Sequence, residues 1–197
     1  MSLPQPSGEL RVEALEESAR QILLALGEDP DREGLAATPR RVARALLDLT
    51  DGYDTDIRSV VRGALYEHQG TEPVTVRDIP FYSLCEHHLL PMFGRCHIGY
   101  VPSGRVIGLS KLPRIVDAFS HRLQLQERMT REIAEAIEEA VKAHGVAVVM
   151  EARHLCMMIR GVQKQTSKMV TSAVLGAFRE DRRTRDEFMQ LLRGNGD

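Results

Sequence analysis

The spacing of apolar residues changes twice along the central part of this chain. Residues 73–84, PVTVRDIPFYSL, and 94–104, GRCHIGYVPSG, are rich in β-branched and aromatic residues and partly alternate, as strands do. Residues 110–145 then place apolar residues at helical spacing over two segments, and residues 146–161 and 166–178 return to strand character. The order predicts a β-β-α-α-β-β unit, an α+β fold with an antiparallel sheet.

Two helices are predicted before this unit and one after it. The first runs from Glu9 to a stop at Gly27, and the second begins with Thr38 as the N-cap and ends near Gly52. Residues 179–192, REDRRTRDEFMQLL, predict a short terminal helix. The resulting domain bounds are 1–8 for a flexible tail, 9–70 for a helical region and 71–197 for a domain that contains the β-β-α-α-β-β unit and the terminal helix.

Composition and charge exclude several classes of protein. The chain has 197 residues, of which 43% are hydrophobic and 27% charged, as in ordinary soluble domains. A formal charge of −2 gives no case for nucleic acid or an anionic membrane as a partner. Without an apolar run near 18 residues or a basic leader, we expect a cytoplasmic protein. Three cysteines do not make a disulfide framework, so they remain available as thiols or metal ligands.

The metal question starts from Cys85 and His88, which have the Cys-x-x-His spacing of zinc ligands at a strand end. The two-residue period of a strand would place His154 and Cys156 on one face. Cys85, His88 and Cys156 would then hold zinc and leave its fourth tetrahedral position for water. Cys96 is the alternative fourth ligand that would close a structural site, but its position in mid-strand favours a packed thiol.

Histidines beside the candidate ligands suit proton transfer. Two thiolates neutralise the charge of zinc, so water near it needs neighbouring acid and base groups. We expect His87 and His154 to fill that role. For either histidine alone, the ordinary alternative is a core or surface histidine whose hydrogen bonds are satisfied and which has no role in proton transfer.

An anion site is predicted where Ser110, Lys111 and Arg114 surround the first turn of a helix, because free N–H groups and the helix dipole attract negative charge there. Arg160 and Arg41 could join this cluster. Each cation alone is more commonly a solvated surface charge.

Gln126 and Glu127 lie at the junction of the two central helices. Glu127 either starts the second helix favourably or accepts paired N–H groups from the edge of a guanine.

Three segments together resemble the GTP cyclohydrolase I family: CEHHLLPMFGRCHIGYVP, VIGLSKLPRIVDAFSHRLQLQERMT and HLCMMIRGVQKQTS. The likeness covers roughly residues 35–180 and includes TPRRVA of the second helix. It implies the tunnelling fold, in which subunit sheets join into a barrel and two five-membered rings stack into a homodecamer with active sites between subunits. Leu125 stands where many relatives carry Val, a change that should only trim the pocket.

The resemblance also implies a role for each matching residue. The zinc ligands fall on Cys85, His88 and Cys156, and the proton-handling histidines on His87 and His154. The guanine-holding residues match Gln126 and Glu127, and we count Gln126 with Ser110 in the catalytic set. The triphosphate-binding residues match Ser110, Lys111, Arg114, Arg160 and Arg41.

The activity that the resemblance implies is hydrolytic opening of the guanine imidazole ring of GTP. C8 leaves as formate, the ribose rearranges, and the ring recloses as 7,8-dihydroneopterin triphosphate in the first step of folate-type pterin synthesis. One zinc ion per subunit is the implied cofactor.

Three other readings compete. A nitrile reductase of queuosine synthesis would share the fold but needs no zinc set. A nucleoside zinc deaminase would carry His-x-Glu and Pro-Cys-x-x-Cys, which this sequence lacks. A structural-zinc binding module would need four ligands and no anion site.

Overall fold

The computed structural model describes residues 8–193. Its helices and strands, besides a 3₁₀ turn at Asp51–Asp54, are α1 (Gly8–Ala25), α2 (Thr38–Asp48), α3 (Ile57–Val61), β1 (Leu65–Glu67), β2 (Val74–Cys85), β3 (Pro91–Val101), β4 (Arg105–Ile107), α4 (Lys111–Ser120), β5 (Leu123–Gln124), α5 (Gln126–Val141), β6 (Gly145–His154), α6 (Leu155–Met158), β7 (Met169–Gly176), α7 (Ala177–Glu180) and α8 (Arg182–Arg193).

The main sheet has five strands in the order β5-β2-β3-β6-β7. Neighbouring long strands are antiparallel, whereas the two-residue strand β5 pairs parallel to the end of β2. The strands β1 and β4 form a separate two-stranded sheet. The chain order β2-β3-α4-α5-β6-β7 confirms the predicted α+β fold class and its β-β-α-α-β-β unit.

The main core lies between one face of the sheet and the helices α4 and α5. Alternate residues of each central strand point to this face, because successive side chains in a strand point to opposite sides. Leu112, Ile115, Ile133 and Ile137 meet them from the helices and are at most 1% exposed. The sheet contributes Phe81, Ile98, Tyr100, Val148 and Met150.

The helices α7 and α8 cover part of the opposite face. Phe178 and Phe188 pack edge-to-face with ring centroids 5.6 Å apart and form a second small core with Val101, Ala147 and Val149. This second core gives the terminal helix its place on the sheet.

The two N-terminal helices occur as predicted, with shifted ends. Gly27 has φ +84°, the left-handed conformation that suits a stop after α1. Thr38 is the first residue of α2 rather than its N-cap, and Ala37 takes the cap position without a side-chain hydrogen bond. The helix ends at Asp48, earlier than the predicted end near Gly52.

The contacts divide the chain into two compact units, one ending at Thr50 and one beginning at Asp51. The domain bounds 9–70 and 71–197 stay predictions. The predicted tail over residues 1–8 lies outside the described residues except for Gly8, the first residue of α1. In the part of the chain from Gly8 to Arg193, no helix combines the length and apolarity that spanning a bilayer requires.

The strand predicted through Cys156 is wrong beyond His154. On one side of β6, the register pairs Met92 with His154, one residue from the start of β3. On the other side, pairing with β7 begins only at Ala152. Because β6 has no partner past His154, the backbone leaves the sheet and turns into the short helix α6.

Candidate metal centre

The segment after β2 turns sharply at Cys85. Backbone hydrogen bonds from Leu89 N at 2.9 Å and His88 N at 3.3 Å both end on the Cys85 carbonyl. Leu89 has φ 54°, which reverses the chain so that Cys85 N can donate to Leu90 O at 2.9 Å. The turn therefore brings the His88 side chain back over the buried thiol of Cys85.

Cys156 reaches the same place from α6. Strand β3 pairs antiparallel with both β2 and β6, so the ends of β2 and β6 lie at the same edge of the sheet, on either side of the start of β3, and α6 follows directly with Cys156. Ligand atoms of Cys85, His88 and Cys156 lie within 4.8 Å of one another. Among residues 8–193, this is the one such group of three or more candidate metal ligands.

These three residues fit a zinc ion. Zinc binds thiolate sulfur at about 2.3 Å and imidazole nitrogen at about 2.0 Å, so tetrahedral ligands lie roughly 3.5–3.8 Å apart. Distances of up to 4.8 Å then require only small side-chain movements. Two sulfurs and one imidazole are also the donors that zinc accepts in sites with an open position.

The thiol of Cys156 resists ionisation in its surroundings. Burial raises the pKa of Cys156, and the neighbouring Cys85 raises it further, whereas Arg160 lowers it to a lesser extent. A divalent cation would reverse this balance, because it favours thiolate over thiol. Cys96 lies apart from the group, fully buried in the core, where burial raises the pKa of its thiol. Its position is that of the packed thiol predicted from the sequence.

Arg160 is the predicted anion-binding residue that lies against this group. Its Nη1 donates to Nε2 of His88 and to the carbonyl oxygen of Cys156, each at 3.3 Å. Its guanidinium therefore places positive charge directly beside the candidate ligands.

The sequence did not predict the ion pair between Arg128 and Glu86, which lies in the turn after β2. Arg128 Nη2 donates to Glu86 Oε2 at 2.5 Å and to the Leu123 carbonyl at 3.0 Å. Arg128 Nε also donates to Gln124 Oε1 at 3.1 Å. Glu86 is thereby fixed next to Cys85, which explains the acidic residue in Cys-Glu-His-His.

His154, the last residue of β6, is half-buried and bonds to Gln126. Its Nε2 lies 2.9 Å from Gln126 Oε1. Burial lowers the pKa of His154, and the nearby Glu127 opposes this shift. The imidazole is therefore biased towards its neutral form, with one carboxylate close enough to support protonation.

Gln126 is held from its other side as well. Its amide nitrogen lies 3.1 Å from the carbonyl oxygens of Met150 and Met169 and from Thr171 Oγ1. Thr130 Oγ1 lies 2.6 Å from the main-chain carbonyl oxygen of Gln126 and 2.7 Å from Thr171 Oγ1. Neither threonine was predicted, because Thr171 lies 45 positions from Gln126 and 41 positions from Thr130 in the sequence.

The other predicted site residues lie farther from these contacts. His87 is exposed, and its ring packs edge-on to that of His88 with centroids 6.2 Å apart. Ser110, Lys111 and Arg114 occupy the start of α4, and the Ser110 side chain makes no cap hydrogen bond. Within residues 8–193, no side-chain hydrogen bond or ion pair connects them to the ligand group. Arg41 is exposed on α2, in the N-terminal unit.

Comparison with known proteins gives consistent matches. A family model described as GTP cyclohydrolase I matches residues 15–193. A GTP cyclohydrolase 1 of Chromohalobacter salexigens is 54% identical over 182 residues, which cover 92% of this chain and 99% of that protein. For the GTP cyclohydrolase 1 1 of Pseudomonas aeruginosa, the values are 56% identity and coverages of 91% and 96%. For a GTP cyclohydrolase 1 of Coxiella burnetii, they are 58%, 88% and 95%.

Proposed function

Because the chain belongs to the GTP cyclohydrolase I family, we propose that it is a zinc-dependent enzyme that converts GTP to formate and 7,8-dihydroneopterin triphosphate. The observation that carries this proposal is the convergence of Cys85, His88 and Cys156, which come from two distant segments of the chain. Zinc, when bound by these three side chains, would supply Lewis-acid activation of water for attack at C8 of the purine.

We assign to His154 the role of the general acid that protonates the purine. The resemblance to the family implies proton handling for it, and the opposing effects of burial and of Glu127 on its pKa support an imidazole that can take up and release a proton. We assign it protonation of the imidazole-ring nitrogen of guanine as the ring opens. His87, next to a ligand and open to solvent, suits exchange of protons with water.

Glu127 and the basic residues would hold the two ends of GTP. The exposed carboxylate of Glu127 lies close enough to His154 to influence its pKa, so a guanine bound there would meet that histidine. Lys111, Arg114, Arg160 and Arg41 are assigned to the triphosphate, and Ser110 to the sugar rearrangement. Remote binding of this kind orients the reacting carbon without taking part in the chemistry.

The start of α4 supports the triphosphate assignment. Its first turn contains no acidic residue, and Lys111 and Arg114 place two cations where a helix dipole already carries positive charge. The uncapped hydroxyl of Ser110 adds a hydrogen-bond donor for an anion.

The family match also supports a homodecamer in the cytoplasm, with active sites completed between subunits. Among residues 8–193, no side-chain hydrogen bond joins Ser110, Lys111 and Arg114, the α4 cluster, to the ligand group, which agrees with a site that two subunits share.

The test of this function is anaerobic metal analysis of the purified protein together with mass spectrometry of the products formed from GTP. We expect about one zinc per chain, and formate and dihydroneopterin triphosphate in equal amounts. A protein that retains zinc but leaves GTP unchanged would refute the proposed reaction. Turnover that persists after complete metal removal would refute zinc dependence.

A further inference from the structure

We propose that Gln126 is a positioning residue, which fixes the tautomer of His154 and does not bind guanine through its side chain. This inference rests on the proposed function only in assigning proton transfer to His154. It replaces the guanine-holding role that the family resemblance implies for the Gln126 side chain. The argument starts from which atoms surround its amide.

The orientation of the Gln126 amide follows from its neighbours. Two of the three oxygens at 3.1 Å from its nitrogen are the main-chain carbonyls of Met150 and Met169, which only accept hydrogen bonds. A flipped amide would set its own oxygen against both of them. The nitrogen must therefore face these carbonyls, and the amide oxygen must face His154.

The tautomer of His154 follows from that orientation. Gln126 Oε1 can only accept, so the 2.9 Å contact requires a proton on Nε2 of His154. A neutral imidazole carries one N–H, which leaves Nδ1 with the lone pair. Within residues 8–193, Nδ1 has no hydrogen-bond partner. It is the nitrogen left to exchange a proton with a substrate.

The hydrogen bonds of Thr130 and Thr171 are consistent with this orientation of the Gln126 amide. The main-chain carbonyl oxygen of Gln126 only accepts, so the Thr130 hydroxyl donates to it at 2.6 Å. Thr171 then donates its hydrogen to Thr130 Oγ1, because the hydrogen of Thr130 is already engaged. This leaves a lone pair of Thr171 Oγ1 for the Gln126 amide at 3.1 Å. These directions agree with the amide orientation above, because a flipped Gln126 amide would set its oxygen against the carbonyl oxygens of Met150 and Met169.

The same contacts leave no free donor or acceptor on the Gln126 side-chain amide that could bind guanine. Gln126 is 1% exposed, and both ends of its amide are occupied by protein atoms. Loss of this side chain should therefore act on proton transfer through His154 and not on substrate affinity. The expected signature is a lower kcat with KM nearly unchanged.

The test uses ¹⁵N-histidine-labelled full-length protein and solid-state NMR at pH 8, where imidazoles are largely neutral. The signals of His154 are assigned by their loss in His154→Asn. In the wild type we expect protonated Nε2 and unprotonated Nδ1. In Gln126→Met, which keeps the length of the side chain but has no amide, we expect a mixture of tautomers and a kcat lower by about tenfold or more. Zinc content should be unchanged.

Gln124→Met is the matched control, since Gln124 is 2% exposed and bonds to Phe119 O and Glu132 but not to His154. We expect it to retain the wild-type tautomer. A wild-type His154 with its proton on Nδ1 would overturn the proposal without any variant, and so would a Gln126→Met protein with raised KM and unchanged kcat. If wild-type protein shows the Nε2–H form but does not turn over GTP, the proposed function fails and the tautomer assignment stands.

Discussion

At the residue scale, the site depends on the thiol of Cys156, which resists ionisation unless a cation lies beside it. Burial and the nearby Cys85 both raise the pKa of Cys156, which favours the protonated thiol at this residue when no metal is bound. Metal binding must therefore release protons, and removing either sulfur removes a strong ligand. Cys96 offers a comparison in the same chain, because its thiol is fully buried but lies outside the group.

Cys156→Ala should lose zinc and turnover together, because two protein ligands cannot hold zinc as three do. The measurement is zinc per chain by elemental analysis after exhaustive dialysis, with formate release from GTP in parallel. Cys96→Ala is the control, and it should retain zinc while losing on the order of 1 kcal/mol of stability from the core. Full zinc content in the Cys156→Ala protein would remove Cys156 from the ligand set.

At the element scale, the pairing of β3 with β6 places His154 and the start of α6. Gly94 of β3 lies opposite Ala152 of β6. A Cβ at Gly94 would overlap the carbonyl oxygen of Glu151 and lie 2.7 Å from the Cα of Ala152. The two backbones thus approach each other at a distance that no side chain allows, two residues before His154.

Gly94→Ala should destabilise the protein by roughly 1–3 kcal/mol, because these backbone atoms have no room to move aside. Chemical denaturation measures the change in the free energy of unfolding. Gly108→Ala is the control, since a Cβ there meets its nearest atoms at 3.6 Å, an ordinary contact. We expect that variant within about 0.5 kcal/mol of wild type. Equal stability of both variants would show that β3 and β6 are farther apart than described.

A second element, the irregularity of β2 between Val76 and Ile79, depends on a neutral histidine. Asp78 has φ 61°, and its N–H donates to Nδ1 of His97 at 3.2 Å. Burial lowers the pKa of His97 in the folded protein. The unfolded chain therefore binds a proton more readily below pH about 6.5, and folding stability from this group is lost as the pH falls.

Wild-type protein should consequently lose more thermal stability between pH 7 and pH 5 than His97→Asn does. The amide oxygen of asparagine can accept from Asp78 N in place of Nδ1, and it does not titrate. Thermal unfolding of both proteins in matched buffers gives the difference. Parallel pH profiles would mean that His97 titrates alike in folded and unfolded protein.

The sequence predicts these elements unevenly, for physical reasons. Long strands and helices such as β2 and α5 repeat a burial pattern several times, so their periods identify them. Two-residue β5 contains no full repeat. The sequence assigned Cys156 to a strand because the apolar character of residues 146–161 continues past the point where the strand ends. Its true position depends on where the partner strands end, which only the three-dimensional pairing determines. The Gln126–His154 contact likewise joins residues 28 positions apart.

At the scale of the whole molecule, the sheet has edges that one chain leaves largely unpaired. Among residues 8–193, strand β7 pairs only with β6, and on the other side β5 covers just two residues of β2. Exposed strand edges of this length invite pairing with another chain. The edges therefore support the proposed barrel of subunits, in which the α4 cluster of one chain could meet the ligand group of another.

Mixing two inactive variants tests this sharing of sites. We expect Cys156→Ala to lack the ligand group and Lys111→Ala with Arg114→Ala to lack the triphosphate cluster. If each active site combines both parts from different subunits, mixed oligomers assembled by joint refolding contain some intact sites and recover a fraction of wild-type formate release. Native mass spectrometry should show assemblies of about ten chains of 22.1 kDa. Mixed assemblies that remain inactive would place both parts of each site in one subunit, and a monomeric chain would exclude shared sites altogether.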